Sequence, residues 1–138
     1  DYAVNVAKKS LKDAILENFG PDKADIIIDA AATRSGFKGI LEVARPNSTI
    51  VITGNYKEPI EVEIPLIQRQ EINLLGHMMY VREDFTDAIR FLKEGKITTE
   101  GFITAVYPFK KTTDAFKYID ENPNDFMKLL IDVQNLTD

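Results

Sequence analysis

Three short segments of this chain carry side chains placed where a ligand could meet them: Asp29-Ala30-Ala31, Thr53-Gly54-Asn55 and Gly76-His77-Met78-Met79. Each follows a largely apolar run, Ile26-Ile27-Ile28, Ile50-Val51-Ile52 or Ile72 to Leu75, and open parallel sheets bind ligands at the carboxyl ends of their strands. A carboxylate at such an end either faces a polar ligand or caps a backbone N–H of its own turn. Alanine and glycine let a ligand approach the backbone closely, although a glycine after a strand is also the ordinary residue of a turn. The same residues exclude much chemistry. His77 is the only histidine and there is no cysteine, so no catalytic triad, His pair or thiolate metal site can be built from this chain. No catalytic side chain and no metal ligand is assigned, and at His77 the backbone matters more than the imidazole.

The seven glycines never fall into the spacing of a dinucleotide turn, G-x-G-x-x-G, or of a phosphate loop, G-x-x-x-x-G-K-[ST]. Nothing here cradles a pyrophosphate. Carboxylate groups such as Glu58, Glu61 and Glu63, or Glu83, Asp84 and Asp87, read as solvated faces and helix caps. Met78-Met79-Tyr80 reads as adaptable filler of core or interface gaps.

The elements that must position these segments follow from periodicity. Leu11, Ala14, Ile15 and Phe19 share one helical face, Ser10 with Asp13 resembles a capping box, and Gly20-Pro21 supplies the stop. Asp25 to Asp29 is a continuous apolar run between two aspartates, the pattern of a strand buried on both faces of a parallel sheet. Phe37, Ile40, Leu41 and Ala44 mark a second helix, which must end by Arg45 because Pro46 follows. Thr49 to Thr53 is the next strand, so strand, helix and strand form a βαβ unit. Ile60 to Ile64 alternates like an exposed edge strand broken by Pro65, and Ile72 to Leu75 is a third apolar run. After Tyr80 the pattern changes: Asp84 is placed to cap a helix carrying Phe85, Ala88, Ile89 and Leu92, with Gly95 at its end. A strand from Phe102 to Val106, a helix with Ala115, Phe116 and Ile119 ending before Pro123, and a strand from Met127 to Val133 complete the chain. Lys110-Lys111 reads as a surface pair flanking a helix start. The expected domains are therefore 1–81 and 82–138.

Composition limits the partners. With 44% apolar residues, 28% charged residues and a net charge of −5, the chain reads as an ordinary folded domain that repels polyanions, and no nucleic acid is expected. No apolar run approaches the roughly 20 residues that span a bilayer, and no signal peptide is recognised. No membrane partner is expected, and the cytoplasm is the default location.

The phrases Lys23-Ala24-Asp25-Ile26-Ile27-Ile28-Asp29-Ala30-Ala31, Arg45-Pro46-Asn47-Ser48, Ile50-Val51-Ile52-Thr53-Gly54-Asn55-Tyr56 and Asn73-Leu74-Leu75-Gly76, in that order, resemble the medium-chain, zinc-type alcohol dehydrogenase superfamily. So do Ala88 to Ile97, Ile103-Thr104 and Tyr107-Pro108-Phe109. The resemblance implies an α/β fold: a partial Rossmann-like domain with a mainly parallel sheet, beginning near the end of its third strand at Asp1 to Asn5, then an α+β segment that returns to the catalytic domain. It implies NAD or NADP as cofactor in the full-length protein, a small alcohol or polyol as substrate, and either zinc, whose ligands are not in this chain, or membership of a zinc-less reductase branch.

Carried over by position, Asp29, Ala30 and Ala31 approach the nicotinamide ribose, and Thr53, Gly54 and Asn55 meet the nicotinamide. The backbone of the segment containing His77 and Met79 holds the carboxamide, while Lys128 lies near the pyrophosphate. The family resemblance also implies a homodimer through the sheet edge at Ile60 to Ile64 and Ile72 to Leu75. Without the phosphate turn and zinc ligands, the isolated chain is expected to be inactive. The second reading, a freestanding α/β ligand-binding or interaction module without catalysis, stays open because fold alone does not assign function.

Overall fold

A computed structural model of the chain describes residues 2–134, whose contacts divide it into two compact units, one through Met79 and one from Tyr80 onward. The first unit runs α1 (Leu11–Phe19), β1 (Ala24–Asp29), α2 (Arg34–Val43), β2 (Ala44–Ile52), α3 (Ile64–Arg69) and β3 (Asn73–Gly76). Its sheet has the order β1-β2-β3 and every pair is parallel.

Local chemistry explains the boundaries. The Asp13 N–H donates to Ser10 Oγ at 3.0 Å, and Gly20 ends α1 with a φ of +83°. The Gly36 N–H donates to Thr33 Oγ1 at 3.1 Å and starts α2. Pro46 prevents the helix from continuing, so the chain passes from Val43 straight into β2. Phe37, Ile40, Leu41 and Ala44 then meet Ile50 and Ile72 in one buried cluster. Burying a side chain as large as any of these except Ala44 stabilises by about 1.5–3 kcal/mol, as an upper estimate.

Two expectations fail in this unit. β1 is not buried on both faces: Ile27 packs on the cluster, but Ile26 and Ile28 are 70% and 66% exposed. Among the described residues α2, together with Leu66 and Ile67 of α3, packs on the side of Ile27 and Ile50. Nor is Ile60 to Ile64 an edge strand. Ile60 and Val62 plug the same core from an irregular segment while Glu61 and Glu63 stay exposed, which reproduces strand-like alternation without a strand partner. Pro65 does not break a strand there; it stands in the first turn of α3, where its missing N–H costs nothing. Residues 2–5 form no strand, against the expected strand end at the start of the chain, and Asp1 lies outside the described residues.

The second unit runs α4 (Arg82–Lys93), β4 (Ile103–Pro108), a short 3₁₀ turn at Phe109–Lys111, α5 (Thr112–Glu121) and β5 (Lys128–Asp132). β4 and β5 pair in parallel and are connected through α5, with Val106 opposite Leu130, and Ala115 is the buried residue of that helix. Asp84 is the third residue of α4, not its cap position: its carboxylate reaches back to accept the Val81 N–H at 2.8 Å. That bond satisfies one of the free amides at the helix start. Among the described residues no helix is long and apolar enough to cross a membrane.

Candidate functional site

The carboxyl ends of β1 and β2 are tied together through one residue. Asp29 is 2% exposed. Its carbonyl oxygen accepts the Thr53 N–H at 2.9 Å, the Gly54 N–H at 2.8 Å and the Thr53 hydroxyl at 3.0 Å. Its carboxylate accepts the Ala31 and Ala32 N–H groups at 3.0 and 3.2 Å through Oδ1, and the Tyr56 hydroxyl at 2.6 Å through Oδ2. A buried carboxylate without hydrogen bonds would be costly, and these donors supply them. Asp29 thus does cap its own turn, but it caps the following strand end as well.

Tyr56 is shaped by the same contact. Burial first, and then the hydrogen bond to Asp29 and its charge, push the phenol from 10.0 up to about 12. Its ring stands edge-on to Phe37 at 6.4 Å between centroids, so the hydroxyl is aimed by packing. Tyr56 was not among the site residues expected from sequence. The available signal was a hydroxyl-bearing aromatic just past one strand end and a lone aspartate at the neighbouring one.

Close approach explains Gly54. A Cβ there would lie 2.8 Å from both Cβ and N of Ala32 and 3.1 Å from the Ala30 carbonyl carbon, so the glycine is required by the protein's own turn. Ala32 has a φ of +51°, a left-handed conformation that alanine rarely holds, and the Asp29 carboxylate accepts its N–H there.

The third strand end joins through the backbone: the His77 N–H donates to the Ile52 carbonyl at 2.9 Å. Gly76 has no atom within 4 Å of where a Cβ would sit. Met79 has a φ of +63°, and Met78, Met79 and Tyr80 are exposed, so the expected gap-filling role has no core to fill here. The structure therefore brings Asp29, Ala30, Ala31, Thr53, Gly54 and Asn55 to one end of the sheet, with His77 following β3. Lys128 is the first residue of β5, exposed, in the other unit.

The resulting surface is a ledge with two hollows. One, of about 450 Å³, is lined by Ala31, Ala32, Arg34, Asn55, Tyr56 and their neighbours. The other, of about 580 Å³, is lined by Leu11, Ile28, Ala30, Ala31, Thr33 and others. Ala31 lines both, and Ala30, Ala31, Thr53, Asn55 and His77 are all exposed. Small side chains suit a flat ligand lying near the backbone. The Asp29 carboxylate is already bonded inward and Tyr56 holds its proton, so beyond shape and backbone contacts the charged groups at the ledge are those of Arg34, Lys57 and Glu58, which line the first hollow. No group of three or more histidine, cysteine, aspartate or glutamate residues is arranged to hold a metal among the described residues. Zinc does not fit the donors present among the described residues.

Comparison with known proteins gives this ledge a context. The chain is 27% identical over 118 residues to a D-xylulose reductase of Saccharomyces cerevisiae, covering 86% of this chain and 33% of that protein. It is 26% identical over 113 residues to an L-galactonate-5-dehydrogenase of Escherichia coli, covering 82% and 33%. Among solved structures, an Escherichia coli alcohol dehydrogenase complexed with NADH superposes with a TM-score of 0.82 at 29% identity, covering 95% of this chain and 38% of that one. The chain thus spans about a third of the length of these relatives. An alcohol dehydrogenase from Thermus superposes with a TM-score of 0.83 at 14% identity and speaks for the fold alone. Residues 1–94 match the model of the zinc-binding dehydrogenases, and this chain belongs to that family.

Proposed function

We propose that this chain forms the nicotinamide-facing wall of an NAD(P)-dependent oxidoreductase of the alcohol dehydrogenase type, which moves a hydride between an alcohol carbon and the nicotinamide ring. One observation carries the reading. Parallel strand ends bearing small, exposed residues are locked together by Asp29, in a chain whose family includes a relative with NADH bound. Ala30 and Ala31 would lie against the nicotinamide ribose, with Asp29 shaping their turn. Thr53, Gly54 and Asn55 would border the ring, and the backbone around His77 and Met79 would hold the carboxamide. Lys128 is assigned to the pyrophosphate on family resemblance alone. When bound, the cofactor supplies the hydride chemistry, and the protein orients it and excludes water.

No catalytic residue and no zinc ligand is assigned to these residues. The names of the relatives, a D-xylulose reductase and an L-galactonate-5-dehydrogenase, favour a polyhydroxylated substrate. A cytoplasmic location goes with this reading, since nicotinamide dinucleotides are intracellular solutes. A homodimer is also proposed, through β3 alone: it lies at one margin of the sheet and carries exposed Leu74 and Leu75, and an open apolar edge favours pairing with a second copy.

The test is fluorescence titration of the full-length protein with NADH, followed by cofactor reduction in the presence of pentitols and sugar acids. Saturable binding and reduction of the cofactor are expected. A folded full-length protein that binds neither NADH nor NADPH would overturn the reading.

A further inference from the structure

We propose that Tyr56 and Asp29 form a positioning clasp, in which the Tyr56 hydroxyl holds the Asp29 carboxylate so that the turns after β1 and β2 keep one fixed spacing. The link from that spacing to cofactor binding rests on the functional reading just given.

The geometry divides the two carboxylate oxygens between two parts of the chain. Oδ1 is used by the local turn, at the Ala31 and Ala32 amides, and Oδ2 by Tyr56, 27 residues later. The Asp29 carbonyl meanwhile holds the amides of Thr53 and Gly54. One residue therefore fixes both turns, from its backbone and from its side chain. An acceptor buried this deeply is costly when a donor is withdrawn. Without the Tyr56 hydroxyl, Oδ2 is left unpaired, and the carboxyl group gains a reason to turn away from the Ala31 and Ala32 amides.

Two features leave little slack. The position of a Cβ on Gly54 is only 2.8 Å from the Ala32 backbone nitrogen, so neither turn can shift far without moving the other. Ala32 is held at a φ of +51°, which an alanine leaves readily once its restraint is gone. Tyr56 packs on Phe37 through its ring, so removing only the hydroxyl tests the clasp while keeping the core contact. Neither side chain needs to touch the cofactor; both are positioning residues.

The experiment compares full-length wild-type protein with Tyr56→Phe and with Ile72→Val. Ile72 is a buried core residue, so the second variant loses stability without touching the turns. In the unliganded protein, Tyr56→Phe is expected to speed hydrogen exchange at the Ala31, Ala32 and Gly54 amides by about tenfold, the scale of one hydrogen bond to a charged group. Ile72→Val is expected to leave those amides in proportion to its global destabilisation. The dissociation constant for NADH should rise about tenfold in Tyr56→Phe and stay unchanged in Ile72→Val. Unaltered exchange at the three amides would overturn the clasp. Faster exchange with unchanged NADH affinity would overturn its positioning role. Failure of the wild-type protein to bind NADH would remove the link to the cofactor, while the exchange result would still decide whether the clasp exists.

Discussion

Gly54→Ala puts a number on how closely the turns are joined. The added Cβ would stand 2.8 Å from Cβ and N of Ala32 and 3.1 Å from the Ala30 carbonyl carbon, where carbon atoms normally rest at about 3.5–4.0 Å. The two turns must therefore separate by roughly 0.7 Å or more. The obstacle is backbone and not a movable side-chain tip. The Ala32 N–H is bound to the Asp29 carboxylate and the Gly54 N–H to the Asp29 carbonyl, so relief weakens at least one bond of about 1–1.5 kcal/mol. Overpacking adds about 1–3 kcal/mol, and the lower entropy of the unfolded alanine chain returns about 0.4–1 kcal/mol. The net loss is about 1–4 kcal/mol, which in a unit of this size lowers Tm by roughly 5–30 °C. Gly76→Ala is the control, because nothing lies within 4 Å of its added methyl and its expected change in Tm is zero or slightly positive. Calorimetric melting of both variants is the assay. A Gly54→Ala protein melting within about 3 °C of wild type, or a Gly76→Ala protein falling as far, would refute the reasoning.

Other consequences are simpler. Tyr56 ionises near 10 when unfolded and at about 12 when folded, so its contribution is full below pH 10 and lost as pH rises toward 12. The two-unit shift sets a ceiling of about 2.7 kcal/mol, discounted to about 1–2 kcal/mol for a half-buried ring. Urea midpoints of wild type should accordingly fall more steeply through that window than those of Tyr56→Phe, and parallel slopes would count against it. Thr33→Ala removes the acceptor that binds the Gly36 N–H at 3.1 Å and should cost about 1 kcal/mol in chemical denaturation; no loss would mean that α2 does not depend on its cap. Ser48 is 1% exposed and its hydroxyl has no hydrogen-bond partner among the described residues, so Ser48→Ala should raise stability by about 1 kcal/mol, and a lower Tm would show that the hydroxyl is satisfied.

What could be read from the sequence followed from local rules. Ser10 with Asp13, the apolar spacing of Phe37, Ile40 and Leu41, and Pro46 closing the helix each act within a turn or two, and each element stands where those residues put it. The failures share a different cause. Alternation from Ile60 to Val62 records which side chains enter the core, and an irregular segment plugging a core alternates as a strand does; only a hydrogen-bonded neighbour distinguishes them, and that neighbour is not written in the segment. Ile26 and Ile28 show that a continuous apolar run states that both faces tolerate burial, without stating what covers them. The 27-residue separation between Tyr56 and Asp29 hides their pairing from any windowed pattern. Gly54 was legible as a close-approach glycine, but nothing in its own segment says that Ala30 and Ala32 are what approach it.

That close approach bears on why a carboxylate ends β1. Every group turned toward Asp29 is a donor: the Ala31 and Ala32 amides and the Tyr56 hydroxyl at its side chain, the Thr53 and Gly54 amides at its carbonyl. An ionised carboxyl is acceptor-only, and so it accepts all of its partners at once. Asparagine would offer one oxygen and direct an N–H group at Tyr56, reversing that bond and leaving the hydroxyl hydrogen without its acceptor. Hydrogen bonds to a charged group are also roughly twice as strong as neutral ones, which suits a turn that must keep Ala32 at positive φ. The charge is thus spent inside the protein, at the cost of any direct use on a ligand. In the proposed enzyme the wall contributes shape held by a buried charge, while Thr53, Asn55 and His77 stand exposed beside Ala30 and Ala31.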